Sequence, residues 1–255
     1  MTVLVTFCEA SADFRAIEIL VDRVLREEGP DWLADNYDTM KEREAFRTFK
    51  GESGDRPFYD VHDVPRHFAK LEKDTGKKVL VPHASFDGRR LPKAMQVYTI
   101  LYLARALSKI ERVDALLIVV DMDKHGAGGR EGMDKARSAT FVSKPFRIAI
   151  GCPNPNREAW ILAGFVPTRP EERKALDELR KKLAFSLPDE PHRIREAGDP
   201  HKVIEQLTND DPTREDRCLE EPPLETLATR GKDAGLADFL NELRREILPL
   251  YSRPA

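Results

Sequence analysis

Ala115-Leu116-Leu117-Ile118-Val119-Val120-Asp121-Met122-Asp123 sets six apolar residues, three of them β-branched, directly before two carboxylates. The run reads as a strand buried on both faces. Ionised carboxylates are costly to bury without a partner, and nothing in the strand supplies one, so the chain must leave the core at Asp121. In extended geometry Asp121 and Asp123 point to the same side, because side-chain direction repeats every two residues. Two such carboxylates at the carboxyl end of a buried strand suit a hard divalent cation, Mg²⁺ or Mn²⁺. The plainer reading is a polar strand end turning through Lys124, His125 and Gly126.

Working outward, strands and helices alternate. Val3 to Phe7 reads as a first strand, and Ala12 to Glu28 carries helical periodicity through Phe14, Ile17, Ile19, Leu20, Val24 and Leu25, stopped by Gly29-Pro30. Residues 31–75 are polar and interrupted by glycine and proline, and read as an insertion with one or two short helices. Lys78 to Pro82 reads as a strand, Pro92 opens a helix to about Lys109, Phe146 to Ile150 reads as a further strand, and Asn156 to Phe165 starts another helix. This order implies an α/β fold, a parallel sheet with helices on its faces, whose ligands bind beyond the carboxyl ends of the strands. After Pro167 the chain is charged and proline-rich, with helices expected near 169–184, 200–207 and 235–248. The expected division is a sheet domain over 1–165, with its insertion near 31–75, and a mostly helical appendage over 166–255 packed on it.

Composition bounds the function. Of 255 residues, 42 are basic and 45 acidic, a net charge of −3, so there is no global cationic field and any nucleic-acid contact must come from a local patch. Cys8, Cys152 and Cys218 are widely spaced and odd in number, which suits a reducing cytosol better than a disulfide framework. The first residues read as a strand rather than a signal peptide, and no apolar stretch approaches transmembrane length. A cytoplasmic protein with no membrane contact is expected.

Three strand ends at one edge would gather further acids. Glu9 leaves the first strand, Asp13 lies about one helical turn later, and Glu158 sits in the first turn after Asn156, a good helix cap. Taken singly, Asp13 and Glu158 are ordinary first-turn acids that favour a helix dipole; their convergence with Asp121 and Asp123 is what gives the set chemical meaning. His62 and His67 read as surface residues, and Trp160 as core. Gly126-Ala127-Gly128-Gly129-Arg130 lacks the Gly-Lys-Ser/Thr ending of a nucleotide-binding loop and reads as a flexible loop beside the acids.

Glu9 after the first strand, then Asp121-Met122-Asp123-Lys124-His125-Gly126 after a buried strand, resembles the Toprim superfamily. The Glu9 to Asp13 spacing is similar to the start of OLD-type nucleases, with Ala10 for the usual glycine and Asp13 for the second glutamate. Asn154-Pro155-Asn156-Arg157-Glu158-Ala159-Trp160 resembles the Asn-Pro-x-x-Glu-x-Trp stretch of stand-alone RloB-like Toprim proteins. The resemblance covers residues 1 to about 165 and leaves the insertion unmatched. It implies a Toprim-like, Rossmann-like sheet and Mg²⁺- or Mn²⁺-dependent cleavage of DNA or RNA, as in effectors of anti-phage defence. It also implies an ATPase partner, since related stand-alone proteins often work beside one and this chain has no ATPase motif. No tyrosine close to Asp121 and no strand-passage domain speak against a topoisomerase, and the lack of a zinc module against a primase.

The residue types fit that chemistry independently, because phosphodiester cleavage needs charge neutralised on the phosphate and a nucleophile held in line. Asp121 and Asp123 are the expected principal metal ligands and Glu9 a ligand or general base. Asp13 and Glu158 are expected as second-metal or outer-shell groups. Lys124, Arg130 and Lys144 are expected near substrate phosphates, although Lys144 reads more readily as a solvated strand-edge lysine. The competing reading is a non-catalytic binding or assembly module that keeps the fold and uses the acidic edge structurally. The sequence leaves DNA against RNA, the metal count and the oligomeric state open.

Overall fold

All seven residues of the first strand, β1 (Thr2–Cys8), are buried, as a central strand covered on both faces requires. A computed structural model of the chain describes residues 1–42, 46–86, 88–123, 125–140 and 145–252. In chain order after β1 come α1 (Ser11–Glu28), α2 (Asp31–Ala34), α3 (Tyr37–Glu42), β2 (Arg47–Lys50), β3 (Tyr59–Asp60), α4 (Val64–Thr75) and α5 (Ala94–Leu107). They are followed by β4 (Ala115–Val119), α6 (Gly126–Thr140), β5 (Arg147–Gly151) and α7 (Arg157–Ala163). The C-terminal part adds α8 (Pro170–Leu183), α9 (Pro200–Thr208), α10 (Pro212–Glu220), α11 (Leu224–Arg230) and α12 (Leu236–Glu246).

The five strands form one parallel sheet in the order β2-β1-β4-β5, with β3 pairing β1 at its carboxyl end through Phe7 and Cys8. Strict alternation along the strands separates two cores. Val5, Phe7, Leu116, Ile118, Ile148 and Ile150 face α4, α5 and α6, while Leu4, Cys8, Leu117, Val119 and Ala149 face α1, α7 and the C-terminal helices. The expected parallel sheet flanked by helices is present. No helix among the described residues is long and apolar enough to cross a membrane.

Three local expectations are corrected. Lys78 to Pro82 is irregular and largely exposed, not a strand. Its flanks explain this: Pro82 lacks an amide for the ladder, and the edge of β1 is already taken by Arg47–Lys50 and Tyr59–Asp60, strands supplied by the supposed insertion. Within that stretch His67 is buried, edge-on to the Tyr59 ring at 5.0 Å, rather than on the surface. Gly126 to Arg130 is the first turn of α6 rather than a flexible loop. Gly132 gives close approach: a Cβ there would lie 1.9 Å from the Pro92 carbonyl oxygen, so α6 can press against the entry to α5 only without a side chain at that position.

The C-terminal helices share the core of the sheet. The Phe239 ring of α12 stacks on Trp160 at 5.1 Å, and the Trp160 indole N–H donates to the Ala234 carbonyl at 2.7 Å. Trp160 is 1% exposed, so it is core, as its neighbours Ile161 and Leu162 suggest.

Candidate metal centre

Parallel pairing of β1, β4 and β5 places the chain after Cys8, after Val119 and after Gly151 at one edge of the sheet. Glu9 follows β1 directly. Ala10 is extended and passes into α1, where Asp13 turns one carboxylate oxygen back to accept the Ala10 backbone N–H at 2.9 Å. That bond is the ordinary role of a first-turn acid, but the other oxygen of Asp13 lies 3.6 Å from Nε of Arg157. Beyond β4, the backbone continues to pair with the chain beyond β5. The N–H of Val120 donates to Gly151, that of Met122 to Pro153, and that of Asp123 to Pro155, at 3.2, 2.8 and 2.8 Å. These bonds fix where Asp121 sits. Extended geometry ends at Asp123, whose φ of 50° lies in the left-handed region.

Burial first, and then the charges of Asp13, Glu9, Glu158 and Asp123, push the Asp121 carboxyl up to about 8. These charges come from the chain after β1, β4 and β5. Burial also lifts Asp13, to about 6, against the opposing pull of Arg157 and the Ala10 N–H, while Glu9 and Glu158 add to the rise. Asp121 has no hydrogen-bond or ion-pair partner among the described residues, and one oxygen of Glu9, Oε1, is buried without a hydrogen-bond partner. The other Glu9 oxygen lies 3.5 Å from Nε2 of His62. Asn156 precedes α7 as expected, yet its side chain makes no capping bond and its Oδ1 is a further buried oxygen without a partner.

Among the described residues, arginine and lysine side chains meet these acids at two places. Arg157, buried at the start of α7, reaches Glu215 of α10 at 2.8 Å, Glu158 at 3.4 Å and Asp13 at 3.6 Å. Asp123, whose side chain is half exposed, lies 3.2 Å from Arg195 and 3.9 Å from Nζ of Lys93. Lys93 is itself in the left-handed region with φ 61° and is held at the N-terminus of α5. Arg157 was readable as the neighbour of Glu158, but its three partners come from elements far apart in the chain. Lys93 and Arg195 carry no local signal at all, and only packing brings them to Asp123.

Of the expected phosphate contacts, Lys124 and Lys144 lie outside the described residues. Arg130 is bound to Asp134 at 2.8 Å and to the buried Glu242 of α12 at 2.9 Å, an ion-pair network that ties α6 to α12. As they stand, the described His, Cys, Asp and Glu side chains form no group of three or more gathered around a metal position. The donors at the edge are nonetheless all oxygen, and the unpartnered Oε1 of Glu9 and the Asp121 carboxylate are the chemistry that a hard divalent cation satisfies. No family model, no curated protein and no solved structure matches the chain.

Proposed function

We propose that the protein is a Mg²⁺- or Mn²⁺-dependent nuclease that hydrolyses phosphodiester bonds in DNA or RNA at the acidic edge of its sheet. The observation that carries this reading is Asp121, a half-buried carboxylate whose carboxyl is raised by burial and by the charges of Asp13, Glu9, Glu158 and Asp123, with no basic side chain paired to it among the described residues. Folding sets up a repulsion that a divalent cation would relieve. In this reading Glu9 and Asp121 hold the ion, with Asp123 beside them. When bound, the ion would offset charge on the scissile phosphate and stabilise the leaving oxygen. Glu9, with His62 near its second oxygen, is placed to orient the attacking water and accept its proton. Lys93 and Arg195 take the role expected of basic residues near substrate phosphates, since both reach the edge at Asp123.

The resemblance to stand-alone Toprim nucleases supports the same chemistry and extends it to an anti-phage effector acting in the cytoplasm with an ATPase partner. The test is a cleavage assay on single- and double-stranded DNA and RNA with Mg²⁺, Mn²⁺ or chelator, run beside Asp121→Asn. Metal-dependent cleavage that falls by orders of magnitude in the variant is the expected result. Equal cleavage by both proteins places the chemistry elsewhere. If no nucleic acid is cut even with the ATPase partner present, the binding-module reading replaces this one.

A further inference from the structure

We infer that Arg157 occupies the place a second cation would take, so that the acidic edge binds a single divalent ion per chain, on the Glu9 and Asp121 side. The inference rests on the metal reading above and settles the metal count that the sequence leaves open. Two-metal centres hold their ions about 3.5–4 Å apart and share carboxylates between them. Here the acids divide into two groups. Asp13, Glu158 and Glu215 are met by the Arg157 guanidinium, each through a different nitrogen, at 3.6, 3.4 and 2.8 Å. The second oxygen of Asp13 is already used by the Ala10 N–H. Among the described residues no arginine or lysine meets Glu9 or Asp121; His62 lies 3.5 Å from one Glu9 oxygen, and the other, Oε1, is buried without a hydrogen-bond partner.

Arg157 is not a casual surface contact. It is 8% exposed, its backbone is anchored at the start of α7, and Glu215 holds it from α10. An arginine stays charged at any working pH. A second divalent ion on Asp13 or Glu158 would therefore sit within a few ångströms of a fixed positive charge in a partly desolvated site. That repulsion opposes a second ion at carboxylates already shared with a guanidinium. Arg157 is thus a positioning residue: its fixed positive charge holds the outer acids together, and Glu9 and Asp121 are the carboxylates left for an exchangeable ion.

The experiment counts ions with Mn²⁺ alone, by calorimetry and by the electron paramagnetic resonance of free Mn²⁺, on the full chain. One Mn²⁺ per chain is expected for the parent, and two would overturn the inference. Arg157→Ala, checked for folding by circular dichroism, should take up a second Mn²⁺, while Arg157→Lys should remain at one. A folded Arg157→Ala that still binds one ion overturns it as well. If Arg157→Ala does not fold, the parent count decides alone. No Mn²⁺ bound to the parent removes the metal reading itself, and this inference with it. One ion bound by the parent but no cleavage of any nucleic acid leaves the count intact and removes only the nuclease activity.

Discussion

With its carboxyl pushed up to about 8, Asp121 keeps a proton in the folded chain over a range where the unfolded chain has lost it. The sign follows directly. The folded state binds more protons between about pH 4, the ordinary aspartate value, and about 8, so metal-free stability falls as pH rises through that window. Asp13, raised to about 6, adds to the fall in the lower part only. Asp121→Asn should remove the upper part of the slope and raise the melting temperature at pH 8.5 by roughly 5 °C, for a gain of about 2 kcal/mol. Melts in chelator from pH 5 to 9 check this, and an unchanged slope would show that Asp121 is not the group responsible. The same proton must leave for a cation to bind. Mn²⁺ affinity should therefore weaken by up to about tenfold per pH unit on going down from pH 8 to 6. Calorimetry in buffers of different ionisation heat reads both the affinity and the released proton.

Among the elements, α6 shows how a glycine run can be misread. Gly126, Gly128, Gly129 and Gly132 look like a loop by propensity, yet they lie in a helix, and at Gly132 tight packing against the α5 entry requires the missing side chain. Gly132→Ala should gain about 1 kcal/mol of helix propensity and lose more to the contact with Pro92, a net cost of about 1–3 kcal/mol in urea unfolding. Gly128→Ala meets nothing within 4 Å and should be neutral or gain up to about 1 kcal/mol. If both variants behaved alike, close approach would not be the reason for the glycines. The edge strands teach a related lesson. Arg47–Lys50 and Tyr59–Asp60 are too short and too polar to show period-two alternation, whereas Lys78 to Pro82 shows three apolar residues, Val79-Leu80-Val81, that the sheet leaves out.

At the scale of the whole molecule, α12 closes the sheet beside β5. Glu242, 2% exposed, accepts from Arg137 and Arg130 of α6 and from Arg245 of its own helix at 2.7–2.9 Å. Those arginines keep part of their surface in water, which lowers the cost of losing the carboxylate below the figure for a fully buried pair. Glu242→Ala should destabilise the protein by about 2 kcal/mol in urea unfolding. Deleting residues 236–255 would uncover Trp160, whose ring packs on Phe239. The expected outcome is loss of cooperative thermal unfolding and rapid proteolysis. A truncated chain that melts cooperatively would mark the C-terminal helices as an appendage in the energetic sense.

The buried strands and their carboxylate ends were legible in the sequence because both signals are local. Six apolar residues ending in Asp121-Met122-Asp123 state where a strand leaves the core, and Glu9 after Val3 to Phe7 states the same for β1. Parallel order then followed from alternation, and with it the shared edge of Glu9, Asp13, Asp121 and Glu158. The cations could not be read in this way. Arg157 meets Asp13, Glu158 and Glu215, and Asp123 meets Lys93 and Arg195, across separations that no periodicity spans. Which acids meet a cationic side chain depends on how α1, α5, α7, α10 and the 3₁₀ turn Pro191–Glu196 pack around the sheet edge. Strand burial is decided residue by residue through transfer from water, whereas charge pairing is decided by distance in space, which only the folded chain defines.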